Sequence, residues 1–228
     1  MYNFDYHRPN SIDEAVQLFV RAEDGIYLAG GHTLLPSMKQ RLAAPTDVID
    51  LAGIEELFGI KDLGSHLEIG ALTSHDEVAT SSIVKSEISS LADLASLIGD
   101  AQVRNRGTIG GSVSNSDPAA DYPAGVLGLN AEIITNQRSI RADAFFVAMF
   151  ETALDEGELI LRIKFPKPDT SAYTKFPNPA SRYATVGVFV ARTGAEVRVA
   201  ITGAAPSVFR SSEMENALAT DFSIQSLE

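Results

Sequence analysis

Two glycine pairs, each next to a run of small polar residues, constrain this chain of 228 residues more than any other feature. The first lies in LAGGHTLLP at Leu28–Pro36, and the second in TIGGSVSNSDPAADYP at Thr108–Pro123. Glycine adopts positive φ angles and lets backbone N–H groups approach a ligand that a Cβ atom would block. Either pair alone is typical of a tight turn, and neither fits the GxGxxG or P-loop pattern. Taken together, the two segments predict one shared site for a phosphorylated ligand.

The net charge determines how such an anion is held. Asp and Glu total 30 against 18 Lys and Arg, so the formal net charge is −12. Nucleic acids and anionic membrane surfaces are bound through Lys and Arg, and the composition therefore argues against both kinds of partner. A pyrophosphate is expected to bind instead to backbone N–H groups and to the hydroxyls of Thr33, Thr108 and Ser112.

Residue types that carry metal or nucleophilic chemistry are sparse. The chain has no cysteine, which excludes disulfides, thiolate catalysis and an iron–sulfur cluster held by this chain. None of the four histidines has metal-ligand spacing, and there is no GxSxG motif. We interpret His32 as a ligand contact, and His7, His66 and His75 as surface or capping residues. We therefore predict no metal ligand and no catalytic residue.

The two aspartates of DPAAD have different predicted roles. Asp117 precedes a proline and is expected to cap the turn. Asp121 lies four residues further on, and its carboxylate is a predicted acceptor for a ribose hydroxyl or a flavin ring N–H.

Hydrophobic periodicity predicts a chain of mixed helices and strands. Helices are expected over SIDEAVQLFVRA, HTLLPSMKQRL, TSHDEVA with Thr73 and Asp76 as its cap, SEISSLADLASLIG and SSEMENALA. Strands are expected over GIYLAG, DVIDL, LEIGALT, LNAEIIT and ELILRIKFP, followed by a hairpin of TVGVFVAR and EVRVAITG. Pro166 and Pro168 mark a predicted boundary between lobes of the chain.

The N-terminus does not look like a secretory signal and no stretch is long enough for a membrane span, so a cytoplasmic location is expected.

These residues resemble a known family. LAGGHTLLPSMKQRLAAPTDVIDLAGI and VRNRGTIGGSVSNSDPAADYPA resemble the two flavin-binding segments of the FAD subunits of molybdenum hydroxylases. That family includes the medium subunits of aerobic carbon monoxide dehydrogenase and bacterial xanthine dehydrogenase. The motifs YHRPNSIDEAV, ELILRIKFP, YTKF and AITGAAP extend the resemblance over essentially the whole chain.

The resemblance implies an α+β fold. A two-lobed FAD-binding domain of the vanillyl-alcohol-oxidase/reductase-like (PCMH) type is expected, followed by a small α+β C-terminal lobe. The implied lobes are residues 1–57, 58–168 and 169–228, the last being shorter than in relatives.

The resemblance also implies FAD as the cofactor of this chain and assigns residues to it. The implied cofactor-binding residues are Ala29, Gly30, Gly31, His32, Thr33, Leu34, Thr108, Gly110, Gly111, Ser112, Asp121, Ile160 and Lys175. Some relatives place an aromatic residue against the flavin where this chain has Ile98, so Tyr173 and Tyr183 are the expected candidates for covering the ring.

The implied function is electron transfer within a larger enzyme. Electrons are expected to pass from [2Fe–2S] clusters of a partner subunit through FAD to an external acceptor. A large subunit would hold the molybdenum cofactor and select the substrate, and a small subunit would hold two [2Fe–2S] clusters, in a heterotrimer or a dimer of heterotrimers. Arg104-Asn105-Arg106 is predicted to belong to the partner surface. Two alternatives remain open: a self-contained FAD-dependent oxidoreductase, and a non-enzymatic nucleotide-binding scaffold.

Overall fold

The computed structural model describes residues 1–227, and three sheets organise this part of the chain. Their strands lie within residues 5–50, 60–166 and 170–210. The lobes that we propose, at residues 1–57, 58–168 and 169–228, each contain one of these sheets.

The first sheet is parallel, with the strand order β1–β3–β2. Its elements are β1 (Asp5–His7), α1 (Ile12–Arg21), β2 (Gly25–Leu28), α2 (Leu34–Lys39) and β3 (Asp47–Asp50). Helix α1 begins where predicted, because the Ser11 hydroxyl accepts a hydrogen bond from the Glu14 N–H. The helices and strands predicted in this region are confirmed.

The second sheet is antiparallel, with the order β4–β5–β10–β6–β7. The elements from β4 onward are β4 (Ile60–Asp62), β5 (His66–Gly70), α3 (His75–Thr80), α4 (Ser82–Glu87), α5 (Ser89–Ser96), α6 (Ala101–Arg104), α7 (Ile109–Asn115), α8 (Tyr122–Gly128), β6 (Glu132–Thr135), β7 (Ser139–Arg141), α9 (Ala142–Phe145), β8 (Phe146–Ala148), β9 (Glu151–Thr152) and β10 (Ile160–Pro166). Strands β8 and β9 form a separate two-stranded ribbon.

Two helix predictions in this region need correction. The cap of α3 is Ser74, which exchanges hydrogen bonds with Glu77 in a capping box, one residue later than predicted. Thr73 is not available as a cap, because its hydroxyl is hydrogen-bonded to the backbone of Gly59. The single helix predicted over SEISSLADLASLIG is two helices, α4 and α5, which separate at Ile88.

The third sheet is antiparallel, with the order β11–β12–β13–β14. Its elements are β11 (Thr170–Pro177), β12 (Ala184–Thr193), β13 (Glu196–Thr202), β14 (Phe209–Arg210) and α10 (Ser212–Thr220). The predicted hairpin is confirmed as β12 and β13, and Gly194 makes its turn with φ +57°.

Buried side chains join the three sheets. Phe145 and Phe165 from the second sheet region and Phe189 from the third share one core and are fully buried. The core of the first sheet includes Leu72 and Leu159 from the second region. Within residues 1–227, no helix is both long and apolar enough to cross a membrane.

Candidate functional site

A cavity of about 760 Å³ is lined by both glycine segments. This volume lies within the range of about 300–1,000 Å³ that is usual for small-molecule and cofactor sites. The loop between β11 and β12 adds Ser181, Arg182 and Tyr183 to the wall. All three proposed lobes therefore contribute residues to one concave site.

The first glycine segment supplies free hydrogen-bond donors. Gly31 has φ +72° and turns the chain away from the end of β2. Gly31, His32 and Thr33 line the cavity, and their backbone N–H groups make no hydrogen bond within residues 1–227. Several unpaired N–H groups on one concave wall favour an anionic ligand without the need for a basic side chain.

The second glycine segment is built differently. The Gly110 N–H donates to the Ala71 carbonyl at 2.9 Å, and the Gly111 N–H donates to the Thr108 hydroxyl at 3.2 Å. A Cβ atom on Gly110 would lie 2.6 Å from the Cβ of Ala71, so this glycine is needed for close packing. Among the described residues the Ser112 hydroxyl has no partner, and this segment therefore offers a side chain rather than its glycine N–H groups.

The first segment packs against the residues that lead into the second segment. A Cβ atom on Gly30 would lie 2.1 Å from the Arg106 carbonyl oxygen, which is closer than any real contact. Across the cavity, a Cβ atom on Gly111 would lie 3.5 Å from the Cβ of Ala29. This cradle of small residues and free N–H groups fits a pyrophosphate, because a side chain on Gly111 would narrow the space.

Aromatic and aliphatic side chains from the first two sheet regions also line the cavity. Phe19 and Tyr27 stack there, with their ring centroids 4.9 Å apart. Leu51, Leu72 and Leu159 line the same cavity. Apolar side chains and free N–H groups in one cavity suit a ligand that joins aromatic rings to a pyrophosphate, as FAD does.

The two aspartates of DPAAD occupy different environments. The Asp117 carboxylate accepts the Ala119 N–H at 2.9 Å and caps the turn, as predicted. Asp121 lines the cavity but is only 4% exposed. Burial raises the pKa of Asp121, and Lys175 and Tyr173 oppose that shift with a positive charge and hydrogen bonds.

His75 is a cavity residue that sequence reasoning missed. It is 5% exposed, and burial, followed by the nearby charges of His32 and Arg104, lowers its pKa to about 4. Its ring is therefore neutral near pH 7, and its Nδ1 atom has no partner among the described residues. The interpretation of His75 as a surface or capping residue is wrong. Its spacing to Val78 and Ala79, which share the buried face of α3, is the signal that indicates burial.

Most residues assigned to the cofactor lie together on the cavity wall. Two do not: Gly30 lies beneath the wall against Arg106, and Lys175 lies behind Asp121. Tyr183 lines the cavity, whereas the hydroxyl of Tyr173 is bonded to Asp121, so the structure favours Tyr183 as the covering ring. The residues that line the cavity are Ala29, Gly31, His32, Thr33, Leu34, Thr108, Gly110, Gly111, Ser112, Asp121 and Ile160.

Comparisons with known proteins agree with this geometry. A family model described as "FAD binding domain in molybdopterin dehydrogenase" matches residues 2–168. The chain is 39% identical over 220 residues to the carbon monoxide dehydrogenase medium chain of Hydrogenophaga pseudoflava. That alignment covers 91% of this chain and 77% of the relative. It is also 35% identical over 223 residues to the glyceraldehyde dehydrogenase medium chain of Sulfolobus acidocaldarius. This second alignment covers 93% of this chain and 79% of the relative.

A solved structure shows the same fold. It is the carbon monoxide dehydrogenase from Hydrogenophaga pseudoflava that lacks the Mo-pyranopterin moiety of the molybdenum cofactor. The match has a TM-score of 0.91 at 38% identity, and it covers 98% of this chain and 83% of that chain. The family resemblance and the fold class that it implies are confirmed.

Proposed function

The chain belongs to the family of FAD-binding domains in molybdopterin dehydrogenases, and we propose that it holds FAD in the cavity between its two glycine segments. Its relatives include the medium chains of carbon monoxide and glyceraldehyde dehydrogenases, which are oxidoreductases. The chain is accordingly the FAD-carrying, electron-transferring subunit of a molybdenum-dependent enzyme.

The observation that carries this proposal is the contact between the two glycine segments. The free N–H groups of Gly31, His32 and Thr33 and the Ser112 hydroxyl belong to residues that line the same cavity, which a side chain on Gly111 would narrow. These groups would hold the pyrophosphate without any basic side chain.

The residues of this chain bind and orient the cofactor rather than perform acid–base chemistry. When bound, FAD accepts electrons one at a time and can release them as a pair. The His75 ring on the cavity wall is neutral near pH 7, and Lys175 partly balances the negative charge of Asp121. Tyr183 and the β11–β12 loop would limit the access of water to one end of the cavity.

The finer points of assembly are also proposals. We assign the molybdenum cofactor to a large partner subunit and two [2Fe–2S] clusters to a small one, in a heterotrimer or a dimer of heterotrimers, with a cytoplasmic location. The relatives are named as medium chains of dehydrogenases, which favours this arrangement over a self-contained oxidoreductase. A scaffold without redox function is disfavoured by the family itself.

The proposal is tested by the visible spectrum of the chain purified with its partner subunits. We expect flavin absorption bands that dithionite bleaches, together with free FAD on acid treatment. The chain purified without its partner subunits should also take up added FAD. A colourless preparation that takes up no FAD, even with its partners present, would refute the proposed function.

A further inference from the structure

The turn that carries Asp121 is held in place by the third sheet. The Gly203 N–H donates to the Pro118 carbonyl at 2.7 Å, and the Ala184 N–H donates to the Ala119 carbonyl at 3.1 Å. The Thr202 hydroxyl lies 2.8 Å from the Pro118 carbonyl oxygen and 2.7 Å from that of Ala120, so its single proton is shared between them. The backbone of the turn is thus fixed from β12 and from the end of β13.

The side chain of Asp121 is held from the same sheet. The Tyr173 hydroxyl donates to Oδ1 at 2.6 Å, and the Lys175 ammonium lies 3.0 Å from Oδ2. Both partners project from one face of β11, since they are two residues apart on a strand. Lys175 also donates to the Leu97 carbonyl at 3.0 Å, and its side chain is only 3% exposed. Each carboxylate oxygen therefore has one charge-assisted or short hydrogen bond on the side away from the cavity.

A glycine in the middle of β12 makes room for this arrangement. A Cβ atom on Gly187 would lie 2.4 Å from the Tyr173 hydroxyl oxygen. Glycine weakens a strand interior and often marks a close approach of another group. Here the approaching group is the Tyr173 hydroxyl, which reaches Asp121. The missing side chain at Gly187 therefore makes room on β12 for the hydroxyl as well as for the tyrosine ring.

We propose that Tyr173 is a positioning residue, whose hydroxyl fixes the Asp121 carboxylate and thereby sets the affinity and midpoint potential of bound FAD. The inference rests on the proposed function and deepens it. A carboxylate has about four lone-pair positions, of which Tyr173 and Lys175 occupy two. The remaining lone pairs belong to a carboxylate group that these two hydrogen bonds hold in one orientation. A hydrogen-bond donor on the cofactor therefore meets an acceptor in a fixed position.

The hydroxyl also reduces the negative charge that Asp121 presents to the cavity. A hydrogen bond to a carboxylate spreads its charge toward the donor, and this effect is strong where water is excluded. Without the hydroxyl, the charge of the ionised Asp121 carboxylate is concentrated on its oxygens. This concentrated negative charge disfavours the addition of an electron to a flavin beside it.

Tyr173→Phe isolates the hydroxyl, because the ring and its packing against Phe189 are kept. The midpoint potential is measured on the complex with its partner subunits. The dissociation constant is measured by titrating FAD into the chain purified without those subunits. We expect binding about three- to tenfold weaker, as for the loss of one hydrogen bond, and a more negative potential. Tyr6→Phe is the matched control: it removes a hydroxyl bonded to Asp50 at an exposed site outside the cavity, and should change neither value.

A cycle with Asp121→Asn separates positioning from general stability. If Tyr173 acts through Asp121, Tyr173→Phe has little further effect on FAD affinity or potential in the Asp121→Asn background. Wild-type affinity and potential in Tyr173→Phe, with or without a lower melting temperature, would overturn the inference. Equal effects of Tyr173→Phe in both backgrounds would also overturn it. If the wild-type chain binds no FAD, the proposed function fails instead.

Discussion

At the residue scale, the glycines of the two segments solve different problems. Gly31 has the positive φ angle that a side chain disfavours, whereas Gly30 and Gly110 permit the backbone to approach Arg106 and Ala71. Within residues 1–227, the N–H groups of Gly31, His32 and Thr33 are free for a ligand, whereas those of Gly110 and Gly111 are bonded within the fold. The sequence pattern predicts a glycine-lined site, but the division of labour depends on contacts that only the fold creates.

Gly30→Ala tests the contact between the segments. The new Cβ atom would collide with the Arg106 carbonyl oxygen, which is backbone and cannot rotate away. We expect the free energy of unfolding to fall by about 3 kcal/mol, as for severe overpacking, and FAD binding to weaken with it. Urea unfolding and FAD titration measure the two effects.

Gly194→Ala serves as the control for Gly30→Ala. Gly194 has φ +57° with nothing within 4 Å of a Cβ atom, so only backbone strain of about 1 kcal/mol is expected there. Equal losses of stability in both variants would show that the predicted collision between the segments is relieved at little cost.

At the element scale, segments with a clear hydrophobic period were predictable, whereas the buried helix α8 was not. Helix α1 and the β12–β13 hairpin follow from amphipathic periodicity. Helix α8 is buried along its whole length and has no polar face to reveal its period. Helix α7 contains both glycines of its segment, and glycine has a poor helix propensity, so tertiary contacts stabilise it.

For the candidate site, local sequence patterns were informative and contacts between distant residues were not. The glycine segments located most of the cavity wall because their chemistry is local. The link from Tyr173 to Asp121 spans 52 residues of sequence, and no local pattern reports it. His75 was missed because a single histidine at the start of a helix looks like an exposed residue.

The turn before β10 depends on one buried carboxylate. The Glu158 side chain is fully buried, and it accepts hydrogen bonds from Thr135 at 2.6 Å and from Arg138 at 2.8 Å. Burial alone would raise the pKa of Glu158, but Arg138, Thr135 and the Asp155 N–H lower it to about 2. This network fixes the start of β10, where Leu159 and Ile160 join the cavity wall.

Glu158→Gln should destabilise the fold in a pH-dependent way. Because the folded pKa is below the unfolded value of 4.5, the ionised group stabilises the fold above pH 4.5 and loses that contribution as the pH falls toward 2. We expect a loss of about 3 kcal/mol at pH 7, with the difference from wild type shrinking below pH 4.5. Urea unfolding across pH 3–7 measures it. The exposed neighbour Glu156→Gln is the control, and a pH-independent difference for Glu158→Gln would contradict the account.

At the scale of the whole molecule, the third sheet supports the site from behind, through the Asp117–Asp121 turn. The predicted partner surface at residues 104–106 lies beside the cradle and is partly used by the fold itself. Arg104 donates to the Ile98 carbonyl at 3.1 Å, whereas Arg106 is exposed and makes no ion pair within residues 1–227. Arg106 is therefore the residue at which the surface can be tested without damage to the fold.

Arg106→Glu should weaken assembly with the small subunit about fivefold, because reversed charge at an interface rim slows association. Co-purification and a binding titration at low salt measure the change. Arg21→Glu, at an exposed position on α1, should leave assembly unchanged. Undiminished assembly of Arg106→Glu would place the partner elsewhere.

The most direct test of the central claim is amide hydrogen exchange, resolved to single residues, with and without FAD. If the first glycine segment holds the pyrophosphate, the N–H groups of Gly31, His32 and Thr33 gain protection when FAD binds. Those of Gly110 and Gly111, already bonded to Ala71 and Thr108, should change little. FAD binding that leaves exchange at Gly31, His32 and Thr33 unaltered would contradict the account.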